Sequence, residues 1–168
     1  IEQMGELDHL LLVKSQVQLS IGQFDQVRLT LAQIDIRRPN AQVSLIIARS
    51  YLVEQQNQMA VNCLRRALSF DQFHVESHAE LATFLLKERQ INESLFHFNV
   101  LIQLKPNEAA YRSSAGVCLS KLCRFDESLR MFDSAILLKP NEGYTYFLKA
   151  TVLMRMSRYA QAETTLFE

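Results

Sequence analysis

A five-residue phrase, LKPNE, occurs twice, at Leu104–Glu108 and Leu138–Glu142, 34 residues apart. Proline has no amide hydrogen and its ring collides with the preceding helical turn, so Pro106 and Pro140 each end a helix. Each also pushes the lysine before it out of the helical region. The next residue, Asn107 in the first copy, is expected to cap the following helix, with Glu108 adding negative charge to its first turn. The phrase is therefore a stop followed by a start. Its recurrence requires the chain to turn the same corner once per 34 residues.

Other residues keep the same interval. Ala82 is followed by Gly116 and Ala150, Leu85 by Leu119 and Leu153, Ile91 by Phe125 and Tyr159, and Ser94 by Ser128 and Ala162. Phe98 is followed by Phe132. Stepping back from Val75 opens another unit at Ala41, with Ala48, Tyr51, Ala60, Leu64 and Ala67 in the same columns. Inside a unit the spacing is helical: Phe125, Leu129, Phe132, Ala135 and Ile136 form one apolar stripe. A two- or three-residue break, as at Cys123-Arg124, separates the helices. Each unit is thus two antiparallel helices, too small to bury its own apolar face without a neighbour. The expected units are 41–74, 75–108, 109–142 and 143–168, the last one truncated.

Residues 7–40 read as a divergent first unit, after a flank at 1–6. Gly22-Gln23-Phe24-Asp25 and Pro39 fit the pattern, and Val27, Leu31 and Ile34 supply a second-helix stripe. The first-helix stripe is expected at Leu10, Val13 and Val17. That is one residue early and implies an extra residue in the turn at 20–22. The expected fold is all-α, a right-handed superhelical solenoid of about five helix pairs.

Composition narrows the function classes. Eighteen basic and eighteen acidic side chains cancel, which removes the electrostatic reason to bind nucleic acid or anionic lipid. The apolar runs are too short to span a membrane. Four glycines leave no room for a phosphate-binding loop, and no nucleophile motif has its strand-turn context. Catalytic residues and a cofactor are therefore not expected. His74 and His78 lie one helical turn apart beside Glu76 and Glu80, a pair that could hold a metal ion. No third ligand stands near in sequence, so no metal is expected. Cys63, Cys118 and Cys123 are read as small apolar side chains rather than a disulfide framework, which favours a reducing, cytoplasmic location. The chain starts with Ile and ends inside an apolar-periodic stretch, as a piece of a longer protein would.

The 34-residue period, the small residue in each first helix (Ala48, Ala82, Gly116, Ala150), the second-helix sets Ala60/Leu64/Ala67 and Ser128/Phe132/Ala135, and the closing prolines resemble the tetratricopeptide repeat family. The resemblance covers 41–168 well. It departs at Gln72, which replaces the proline, and at Leu101, which is large where Ala67 and Ala135 are small. In that family the first helices line a concave groove that holds a peptide or partner helix. The resemblance therefore implies a non-catalytic protein-interaction or scaffold module with a protein or peptide partner. A bacterial chaperone or secretion factor, or the recruiting arm of a larger enzyme, is the alternative. The carboxylate clamp with which some members grip chaperone tails is absent at the matching Leu11, Ser15, Ile46, Glu76 and Glu80. The groove residues implied here are Leu45, Arg49, Thr83, Lys87, Val117, Lys121, Tyr144, Phe147, Thr151 and Arg155. Lys87, Lys121 and Arg155 recur at 34-residue spacing as a basic rail. Tyr144 and Phe147 form an apolar anchor, a surface that could instead pair two copies of the chain.

Overall fold

The computed structural model describes residues 6–37 and 40–167. Among the described residues the chain is all-α, with ten helices and no strand. They are α1 (Glu6–Ser20), α2 (Phe24–Arg37), α3 (Ala41–Val53), α4 (Asn57–Phe70), α5 (Val75–Lys87), α6 (Ile91–Leu104), α7 (Ala109–Lys121), α8 (Phe125–Leu138), α9 (Gly143–Arg155) and α10 (Tyr159–Phe167). The chain divides into two compact units, 1–80 and 81–168.

In the first unit α1 packs on α2 and α3 on α4 as antiparallel hairpins, and α2 also packs on α3. Their shared core is Leu12, Val27, Leu31, Ile34, Val43 and Ile46. In the second unit the hairpins are α7 with α8 and α9 with α10, joined by contacts of α6 with α7 and α8 with α9. Leu129, Phe132, Ala150, Val152, Leu153 and Ala162 form a core there, with Val117, Phe125, Leu148 and Met156 against it.

The small column of the first helices is where the two helices of a hairpin touch. Gly116 is so close to α8 that a Cβ built on it would lie 2.7 Å from the Phe132 ring. Real carbon atoms do not approach that closely, so only glycine fits. A serine on the second helix uses the same approach. Ser128 Oγ donates to Gly116 O at 2.7 Å, and Ser94 Oγ donates to Ala82 O at 2.8 Å. Both serines are fully buried, so these bonds satisfy hydroxyls that would otherwise be costly to bury.

The turn inside each hairpin also repeats. Gln55, Arg89, Cys123 and Ser157 all take the left-handed conformation, with φ between 59° and 61°. The amide of the next residue then reaches back five residues. Gln56 N donates to Tyr51 O, Gln90 N to Leu85 O, Arg124 N to Leu119 O and Arg158 N to Leu153 O, each at 2.9 Å. This is the Schellman closure, which satisfies carbonyls left over at a helix end. Gly22 closes the first hairpin in the same way, with φ 79° and a bond from Gln23 N to Gln18 O.

Three expectations are corrected by these bounds. The α1–α2 turn holds the same three residues as the others, so it carries no extra residue. The shift lies beyond α2. α2 starts 33 residues before α4, whereas later second helices start 34 apart, and the link from Arg37 to Ala41 is one residue shorter than the later links. Part of that link, at 38–39 and so including Pro39, lies outside the described residues. Secondly, Leu10, Val13 and Val17 face outward, while α1 turns Leu12 and Ser15 inward. Thirdly, Asn107 is not the cap of α7. Pro106 and Asn107 form the turn, and Glu108 occupies the cap position without a side-chain bond. Asn40 does cap α3, its Oδ1 accepting from Val43 N at 2.9 Å. The repeated corners touch one another instead, through Lys139 Nζ and Glu108 Oε1 at 3.2 Å.

Two stability outcomes follow. Gly116→Ala should lose roughly 1–3 kcal/mol to overpacking despite alanine's better helix propensity. In a Phe132→Leu background the same change should be neutral or stabilising, as read by a urea double-mutant cycle. Arg89→Gly and Ser157→Gly should each raise stability by about 0.5–1 kcal/mol, because glycine meets no steric penalty at positive φ. The shift in urea midpoint measures it.

Candidate functional site

The exposed face of α9 is the most apolar surface in the second unit that carries expected site residues. Tyr144 and Phe147 are one helical turn apart, so their side chains share a face. Their rings stack, with centroids 6.4 Å apart and planes at 23°. They are 66% and 55% exposed, and Met154 is exposed further along the helix. Thr151 lies between them, but its hydroxyl donates to Phe147 O at 2.8 Å and is not offered outward. On the other side of α9, Lys149 pairs with Asp133 of α8 at 2.8 Å, which holds the helix against the core. A buried bond between Ser113 and Thr145 hydroxyls, at 3.0 Å, ties α7 to α9.

The expected rail divides in two. Lys87 ends α5 and Lys121 ends α7; both are exposed and form no ion pair among the described residues. Arg155 differs. Its guanidinium donates to Ser120 O and Ser120 Oγ at 3.1 and 3.0 Å and lies 4.8 Å above the Phe125 ring. Its charge is thus spent on satisfying a helix C-terminus and covering an aromatic face.

The remaining groove residues fare unequally. Thr83 is exposed, and Val117 is half-buried against the second core. In the first unit, Leu45 is fully buried and belongs to the interior, so it lines no open surface. The sequence AQVSLIIARSYLV of α3 is apolar around most of its circumference, and such a helix is covered on several sides. Arg49 is partly exposed, but its Nε donates to Glu80 Oε1 at 2.7 Å.

The histidine pair has structural work. His74 Nδ1 accepts from Ser77 N at 3.3 Å and lies 2.9 Å from Ser77 Oγ, serving the start of α5. His78 is buried, with Nε2 3.0 Å from Gln72 O. No three His, Cys, Asp or Glu side chains come together to hold a metal among the described residues. No helix among the described residues is long and apolar enough to cross a membrane.

All three cysteines are free. Burial pushes the Cys118 thiol up, against the opposing pull of the Ser94 hydrogen bond and the Lys121 charge. Cys123 is exposed in the α7–α8 turn.

No family model matches the chain, and no curated protein matches it. Solved structures do. A double mutant of MamA from strain RS-1 superposes with TM-score 0.87 at 17% identity, over 98% of this chain and 93% of that one. MamA of Desulfovibrio magneticus RS-1, from its residue 41 to the end, gives 0.86 at 16% identity, over 98% and 94%. MamA from AMB-1 gives 0.79 at 22% identity, over 94% and 87%. The fold is the tetratricopeptide-type helical repeat. At these identities the likeness carries the backbone and not the side chains. The repeat explains why Lys87, Lys121 and Arg155 occupy one register position, and the side chains explain why only two of the three remain exposed without a partner.

The outward apolar row of α1 is not legible as a surface in the sequence, because the helical spacing of Leu10, Val13 and Val17 is that of a core stripe. The available signal was that α1 has apolar residues on more than one face.

Thiol reactivity reports this arrangement. A raised thiol holds less thiolate at a given pH, and the thiolate is the reactive form. At pH 8 an aromatic disulfide reagent should modify Cys123 first and the half-buried Cys63 more slowly. Cys118 should react only after denaturation, as read by mass spectrometry of the modified peptides.

Proposed function

We propose that this chain is a non-catalytic protein-binding module and that its working surface includes the outward face of α9. The observation that carries this is the Tyr144–Phe147 stack, two large rings inclined at 23° and mostly in solvent. Two rings pre-arranged on a rigid helix form an anchor for an apolar side chain, since little conformational entropy remains to be lost on binding. Lys87 and Lys121, at the C-terminal ends of α5 and α7, would favour a segment that reaches them from the rings and is acidic at that end, and would speed its approach. The repeat fold supports the same reading, since each helix pair packs only against its neighbours and can leave one helix face open to a partner. Three free thiols suit a reducing compartment such as the cytoplasm.

The chain should be used to select from a displayed random peptide library. The selected peptides should combine a bulky apolar residue with flanking Asp or Glu. Tyr144→Ala/Phe147→Ala should weaken them at least tenfold by fluorescence anisotropy. Lys87→Glu/Lys121→Glu should weaken them less and flatten the salt dependence. Arg155 is left intact in these variants because its contacts are internal. Full binding by the Tyr144→Ala/Phe147→Ala protein would overturn the assignment of this face.

A further inference from the structure

A second surface lies in the first unit, on the outward side of α1. Leu7, Leu10, Val17 and Ile21 are all more than half exposed, and Lys14 sits in the middle of their row. Ile21 N donates to Val17 O at 3.1 Å, so the helical register runs on through Ile21. The steps from 7 to 10, 14, 17 and 21 are three, four, three and four residues. That alternation is the seam of a coiled coil, which keeps one edge of a helix facing a partner helix. The seam is separate from the residues by which α1 joins its own core, Leu12 with Leu11 and Leu19 beside it. α1 is therefore apolar on two sides, and a helix of that kind is covered on both.

We propose that this seam docks an amphipathic helix of another protein along about two heptads, with an apolar stripe and an Asp or Glu opposite Lys14. Lys14 decides between occupants. It is exposed and forms no ion pair among the described residues. A single lysine in an apolar seam fixes register and selects the partner. A second copy of this chain is a poor occupant. Symmetric pairing over the whole row sets Lys14 against Lys14 of the copy, whether the helices run parallel or antiparallel about its midpoint. Two ammonium groups would then meet inside an apolar seam with no counter-charge. A facing carboxylate removes that conflict and adds a charge-assisted bond. This surface is distinct from the face of α9, so either can fail without the other.

The test uses the whole chain and two synthetic 21-residue helical peptides. Both carry Leu at the seam positions; one has Glu and the other Lys at the central seam position. By fluorescence anisotropy the Glu peptide should bind at least tenfold more tightly than the Lys peptide. Lys14→Glu should reverse that preference, and Val17→Glu should abolish binding of both. Tyr144→Ala/Phe147→Ala should change nothing. Circular dichroism should show Lys14→Glu and Val17→Glu as helical as the parent, since both side chains are exposed. Equal binding of the two peptides, or undiminished binding by Val17→Glu, would overturn the proposal. So would a dimer in sedimentation velocity that Val17→Glu dissolves, because a second copy would then cover the seam.

Discussion

Paired helices meet most closely at a column of small residues, and that contact sets the orientation of every helix pair built on it. At Gly116 the backbone of α7 comes so near the Phe132 ring that no side-chain atom fits. The same closeness lets Ser128 on α8 and Ser94 on α6 bond to carbonyls of the facing helices, Gly116 O and Ala82 O. Those carbonyls already serve their own helices and accept a second bond with their other lone pair. The contact is therefore both a packing fit and a polar lock. It fixes rotation as well as distance, and so decides which side of each helix faces solvent.

The turns show what that fixation costs and how it is offset. Four of the five hairpins place a residue with a Cβ in the left-handed region, at Gln55, Arg89, Cys123 and Ser157. Each such residue is strained by about 1 kcal/mol or more. The strain is held by two backbone bonds at every turn and by the packing of the helices on either side. A three-residue turn with this closure sets the two helices antiparallel whatever side chain occupies it. That is why the sequence of the turns can drift from Gly-Gln to Gln-Gln, Arg-Gln, Cys-Arg and Ser-Arg while their geometry stays the same.

Repetition of backbone does not mean repetition of surface. Lys121 and Arg155 hold the same place in successive units. Lys121 ends in solvent, while Arg155 turns back onto Ser120 and Phe125. The planar guanidinium can stack on a ring and bond a carbonyl together, and a lysine ammonium is too compact and too strongly hydrated to do both. In the same way the first helices differ from unit to unit. α9 leaves two aromatic rings outside, α3 buries nearly all it has, and α1 presents apolar residues on two sides.

The period, the helix pairs, the small columns and the core stripes of the last four repeats can be read from the residues alone. These rest on local rules: proline ends helices, and apolar residues spaced at 3.6 mark one buried face. They also place Val27, Leu31 and Ile34 in the core, since a strong second-helix stripe needs no reference to its neighbours. The remaining features follow from packing between elements distant in the chain. Whether Leu12 or Leu10 faces inward on α1 is not set by the 34-residue register, because the link after α2 is one residue shorter and α1 and α2 stand one position out of that register. Whether Arg155 or Leu45 reaches solvent depends on what stands beside it, at Ser120, at Phe125 and around α3. A run of sequence fixes which residues share a face of a helix, but which faces are covered is set by partners that are distant in the chain.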